Sequence, residues 1–160
     1  EGRPLFAGLL SLPMPTSPVG AMWRRGDMLR EYRGDSHTAA WISAGVDATE
    51  IGLLSELYWG LPMRSYSRTR AWTESQFDAA HARLQARGLV DDVGFTEAGR
   101  AFREDIEVRT DEQMRASIDA LGDDLDELVS IMRPWGDEVR AQKGYLSAGP
   151  HDLASQAAGR

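Results

Sequence analysis

Apolar positions along this chain recur mostly at helical spacing, and capping residues punctuate them densely. A first helix is predicted over about residues 21–32, with Met22, Leu29 and Tyr32 among its apolar positions, and Arg33-Gly34-Asp35-Ser36 reads as a turn. A short helix from about 37 to 44 then ends at Gly45, a residue suited to the left-handed backbone that closes helices. Asp47 caps the next helix, which carries Ile51, Leu54, Leu57 and Tyr58 and stops at Gly60. Pro62 suits the first turn of a helix over about 63–70. Thr73-Glu74-Ser75-Gln76 is a capping box, and the helix it opens places Phe77, Ala80 and Leu84 on one face before Arg87-Gly88. Leu89-Val90-Asp91 and Phe95-Thr96 read as two very short strands. Thr96 caps a long helix to about residue 121. After Gly122 another passes through Leu125, Leu128, Val129 and Met132 until Pro134 interrupts it, and a last short helix reaches about Lys143.

The ends are different. Pro13, Pro15 and Pro18 follow an apolar stretch and favour extended backbone, so residues 1–21 read as a Pro-rich linker. Residues 144–160 read as a flexible tail. Between them, 22–143 is expected to be one mainly α domain. Glu1-Gly2-Arg3-Pro4 reads as the interior of a longer polypeptide, without a signal-peptide pattern. A hydrophobic fraction of 42% in 160 residues supports a real core. No apolar run approaches the roughly 18 residues of a membrane span. With no cysteine there is no disulfide, thiolate metal site or cysteine nucleophile. The three histidines have no metal-ligand spacing, and no triad, phosphate loop or apolar carboxylate pair is present. The chain is therefore expected to be a cytoplasmic protein without catalysis, cofactor, metal or membrane partner.

The order helix, helix, capped helix, tight ribbon, long helix is that of a winged helix-turn-helix with a very short wing and additional C-terminal helices. Leu84-Gln85-Ala86-Arg87-Gly88-Leu89-Val90, followed by Phe95-Thr96-Glu97-Ala98-Gly99-Arg100, resembles the MarR-type regulators over about residues 47–132. In that family the first motif ends the recognition helix and leads into the wing, while the second opens a dimerisation helix. Gly2-Arg3-Pro4-Leu5-Phe6, Leu29 to His37 and Arg70-Ala71-Trp72-Thr73 resemble an actinobacterial family of two-half proteins. There a helical N-terminal half precedes a winged-helix half, and the present sequence corresponds mostly to the second.

That resemblance implies a transcriptional regulator and duplex DNA as partner. On the helix after Thr73, Ser75 and Gln76 face outward to read base edges, and Arg83 reaches a phosphate or a guanine. Arg64, Arg68 and Arg70 on the preceding segment would position the backbone, or else pair with local acids such as Glu74 and Asp78. The wing carries Asp91 and Asp92 and no arginine. Charge sharpens the tension. The net −7 is concentrated in residues 97–143, where thirteen acids face seven bases, while residues 62–96 hold five arginines against four acids.

Two further constellations have two readings each. Arg33, Asp35 and His37 could hold a ligand, or Asp35 and Ser36 cap a helix while Arg33 pairs with a neighbour. Trp41, Trp59 and Trp72 could line a pocket for an apolar small-molecule effector, or belong to core and dimer interface. The apolar residues Phe102, Ile106, Ile118, Leu121, Leu125 and Leu128 suit a homodimer or docking of the other half. The alternative to a regulator is a small-molecule-binding or scaffold domain that no longer contacts DNA.

Overall fold

Proline opens the first two helices. A computed structural model describes residues 2–142. In it Pro4 begins α1 (Pro4–Leu10) and Pro18 begins α2 (Pro18–Ser43), positions where a missing N–H costs nothing. Ser17 caps α2 by accepting from the Gly20 amide. α1 lies within the segment that the prolines mark as linker, and a buried carboxylate explains it. The amides of Leu5 and Phe6 donate to Asp35 Oδ1 and Oδ2 at 3.2 and 2.9 Å, which satisfies the open N-terminus of a helix too short to stand alone. Phe6 meets Tyr32 edge to face at 5.4 Å. Arg3 lies over the same ring and donates to Tyr32 O, Ser36 Oγ and Gln113 O.

α2 also corrects the expected turn at residues 33–36, because it runs unbroken through them. Local propensity favours a break there, but the side chains of the run have tertiary partners. Asp35 and Ser36 are buried against α1, and Arg33 reaches Glu107 at 2.6 Å and Asp111 at 3.0 Å. Burial pulls the Arg33 guanidinium towards its neutral form, but Glu107 and Asp111 together outweigh it and hold the group more firmly protonated. We expect Asp35→Ala to release α1, costing about 1 kcal/mol for the two half-buried amides that lose their acceptor. Limited proteolysis around residues 11–17 should become faster, and Asp35→Asn should recover part of the protection.

Asp47 caps α3 (Ala48–Tyr58) in a full capping box with Glu50. Ile51, Leu53 and Leu54 of α3 form a core with Phe77, Ala80 and Leu84 of α4 (Glu74–Ala86) and with Leu89 and Val90. The helix predicted over 63–70 is replaced by turns and a single 3₁₀ turn, Ser67–Arg70. Its organiser is Glu56, 1% exposed, which accepts from the amides of Arg64, Tyr66 and Ser67 and from Ser67 Oγ at 2.5–2.9 Å. One carboxylate satisfies the donors that a helix would otherwise have used internally.

The two strands of the wing do not form. Val90 and Phe95 make one antiparallel bridge, because Leu89 N still bonds Leu84 O at the end of α4 and Thr96 already begins α5 (Glu97–Glu112). No residue is left to extend a ladder. The long helix expected from 97 to 121 is divided at 113–114 into α5 and α6 (Arg115–Leu121). After Gly122, at φ +51°, α7 (Asp124–Ala141) continues through Pro134. α7 buries no residue, so the carbonyl that Pro134 leaves unpaired meets water. The predicted tail, residues 144–160, lies outside the described residues.

The described residues divide into two compact units, 2–46 with Glu104–Ser117, and Asp47–Arg103 with 118–142. Among the described residues no helix is long and apolar enough to cross a membrane.

Candidate nucleic-acid interface

The second unit carries the residues expected to meet DNA. α4 starts at Thr73, whose hydroxyl accepts from Gln76 N while Gln76 Oε1 accepts from Thr73 N at 2.8 Å. Ser75 Oγ lies 3.0 Å from Thr73 Oγ1. Both expected base readers are therefore engaged by the cap, although both remain exposed. Gln76 keeps its amide NH₂ for an outside acceptor.

The arginines divide. Arg64 sits at φ +66°, held there by its own N–H to Glu56, and its guanidinium bridges Glu74 (2.8 Å) and Asp78 (2.6 Å). The hydrogen bond it donates to Asp78 is the main reason its protonation is reinforced. Arg83 reaches back to α3, to Glu50 at 2.9 Å and Asp47 at 2.5 Å, and Glu50 reinforces its charge most. Arg64 and Arg83 are thus pairing residues in this structure, and each neutralises acids that would repel phosphate. Arg68 and Arg70 are different. Both are exposed on the 3₁₀ turn, and Arg70 is steered by Tyr66, with its guanidinium 3.0 Å from the hydroxyl and 5.6 Å from the ring centroid.

Asp91 does not project from the wing as a free acid. Its Oδ1 accepts from the amides of Val93 and Gly94 at 2.8 and 2.9 Å, and Asp92 accepts from Gln85 at 3.1 Å. Two arginines near this corner escape a linear reading of the sequence. Arg100 lies over Phe95 at 5.6 Å and Arg87 over Phe102 at 4.9 Å, both exposed. Only the fold brings these rings to those cations.

The corner itself is closed by Thr96 and Gly99. Thr96 Oγ1 donates to Gly88 O at 2.7 Å and accepts from Gly99 N at 2.9 Å. Gly88, at φ +68°, supplies the left-handed end of α4.

These junctions coincide with a family assignment. A family model described as a helix-turn-helix family matches residues 1–146. The chain belongs to that helix-turn-helix family. No curated protein and no solved structure matches the chain.

Within this helix-turn-helix protein, the residues expected to hold a ligand are divided between the units. Arg33, Asp35, His37 and Trp41 belong to the first, and Trp59 and Trp72 to the second. Asp35 serves α1, Arg33 pairs with Glu107 and Asp111, and His37 Nδ1 lies 3.2 Å from Thr110 Oγ1. Trp59 is half exposed at the end of α3. Trp72 borders a cleft of about 320 Å³ within the second unit. Asp47, Ala48 and Thr49 line it on one side and Gln76, Ala79 and Arg83 on the other. The lining mixes apolar Ala48, Trp72 and Ala79 with polar Asp47, Thr49, Gln76 and Arg83.

Proposed function

We propose that this helix-turn-helix protein is a DNA-binding, regulator-like module, MarR-like in plan, that presents α4 to duplex DNA. The observation that carries this reading is the capped α3–turn–α4 arrangement, with the solvent face of α4 exposed in a chain of helix-turn-helix family. Arg68 and Arg70 serve as phosphate contacts, Gln76 and Ser75 as weak base contacts, and Arg64 and Arg83 hold the helices and mask local acids. Arg87 and Arg100 add cations beside the wing corner. The exposed apolar residues of α7, among them Leu128, Met132 and Trp135, support self-association or docking of another helical segment.

Binding should be weak and salt-dependent. With two phosphate contacts, log K is expected to fall with log salt at a slope of about −2 between about 50 and 200 mM. Anisotropy titration of the full chain on a labelled duplex measures it. Arg68→Ala with Arg70→Ala should flatten the slope, and Glu74→Gln with Asp78→Asn should tighten binding by freeing Arg64. No binding at low salt by wild type or by the Glu74/Asp78 variant would sink the reading. That result would favour the second one, a regulator-derived ligand-binding or scaffold domain. The ion pairs of Arg64 and Arg83 and the engagement of Ser75 and Gln76 in the cap are what support it.

A further inference from the structure

A second cleft lies along the first turns of α2, in the first unit. Pro15, Val19, Gly20, Trp23, Arg24 and Asp27 line it, and its volume is about 510 Å³, within the roughly 300–1,000 Å³ of small-molecule sites. Two large apolar side chains border it in the open: Val19 is 72% and Trp23 70% exposed. They are one helical turn apart, so they form a continuous apolar wall facing solvent. Arg24 is next to them in sequence and in the cleft. Its Nη1 is buried with no hydrogen-bond partner among the described residues, so what the side chain can offer a ligand is its charge and its remaining N–H groups. Asp27 is the other charged group there, and its carboxylate is engaged by Arg30, whose Nε and Nη2 both lie 3.2 Å from Oδ1. Arg24 and Trp23 thus border the same cleft, and no ion pair to Arg24 is found among the described residues.

Its floor is fixed by Gly20. A Cβ there would fall 2.9 Å from Pro15 Cβ and 2.8 Å from Ser17 Oγ, so any side chain would push away the proline that forms the opposite wall. The three features are separate consequences of the sequence: a glycine that lets Pro15 close in, an exposed Val19–Trp23 pair, and an unmatched guanidinium nitrogen.

We infer that this cleft binds a small planar carboxylic acid, its apolar body against Trp23 and Pro15 and its carboxylate on Arg24. A single cation next to Asp27 suits a monoanion better than a dianionic phosphate. The flat walls suit a ring better than a flexible chain. The inference does not depend on DNA binding.

Calorimetric titration of the full chain with 2-naphthoate and with its uncharged carboxamide tests it. Naphthoate should bind saturably, and the carboxamide about tenfold more weakly, the loss of one charge-assisted hydrogen bond. Arg24→Gln should bring naphthoate down to the carboxamide's affinity and leave the carboxamide unchanged. Trp23→Ala should weaken both, and its exposure makes it a substitution the fold tolerates. Trp23→Phe should restore part of the binding, which separates a lost ring from a lost fold. Equal affinity for acid and amide, or binding indifferent to both substitutions, would overturn the assignment. So would no saturable binding of naphthoate below about 1 mM. A chain that self-associates through Trp23, becomes monomeric as Trp23→Ala and does not take up naphthoate would overturn it as well.

Discussion

Glu56→Ala should lower the stability of the unit built on α3 and α4 by about 3–5 kcal/mol, because it strips the acceptor from four donors at once. The amides of Arg64, Tyr66 and Ser67 and the Ser67 hydroxyl all converge on this carboxylate. The helix that would have paired those groups internally is absent, so the turn-rich segment depends on Glu56. Thermal unfolding followed by circular dichroism should show a midpoint lower by about 10 °C, at roughly 2–4 °C per kcal/mol for a chain of this length. Hydrogen exchange locates the effect: the amides of residues 64, 66 and 67 should exchange faster well before the helices of the unit do. Glu56→Gln should fall between, since one oxygen can still accept while the new NH₂ faces donors. Unchanged exchange at those three amides in Glu56→Ala would show that the segment is held by something else.

Gly99→Ala should be destabilising by about 3 kcal/mol or more, which reverses the usual sign of a glycine-to-alanine change inside a helix. A Cβ at 99 would sit 1.7 Å from Leu89 O and 2.7 Å from Leu89 C, both backbone atoms that cannot swing aside. α5 would have to move off the turn that carries Leu89, and the Val90–Phe95 bridge would open with it. Gly26 is the internal comparison. It lies within α2, and a Cβ added there would have nothing within 4 Å. Gly26→Ala should therefore stabilise by about 0.5–1 kcal/mol. Equal effects at both sites would mean that the close approach of α5 to Leu89 is not a constraint.

Several local devices are legible in the residues alone. Thr73 and Gln76 form the capping box their spacing predicts, Asp47 caps α3, and Gly45, Gly60 and Gly88 take the positive φ that helix ends demand. Phe77, Ala80 and Leu84 are buried as the helical period requires. These signals are readable because their partners lie within a few residues. What fails to be readable is set from far along the chain. The 33–36 run continues a helix because Arg3, α1 and α5 supply partners for Ser36, Asp35 and Arg33. The segment after Pro62 abandons a helix because Glu56 takes its amides. The wing shrinks to one residue pair because α4 and α5 occupy the backbone on either side.

The candidate interface shows the same division. Arg64 and Glu74 or Asp78 are readable as neighbours that either pair or leave the arginine to bind phosphate, and in the structure they pair. That Arg83 reaches Asp47 and Glu50, 36 and 33 residues away, has no local signature. Nor has the stacking of Arg100 and Arg87 on Phe95 and Phe102, which orients two cations beside the corner.

The carboxylate of Glu56 grips main-chain amides and a single hydroxyl, and that choice sets what the segment can tolerate over generations. The grip itself uses only the N–H groups of residues 64 and 66, so it excludes proline at both, while the φ of +66° at residue 64 further disfavours β-branched side chains there. Arg68 and Arg70 are exposed and outside the grip altogether. The surface leading into α4 is thus a variable display carried on a fixed clasp, and its charge can be rewritten without rebuilding the fold beneath it.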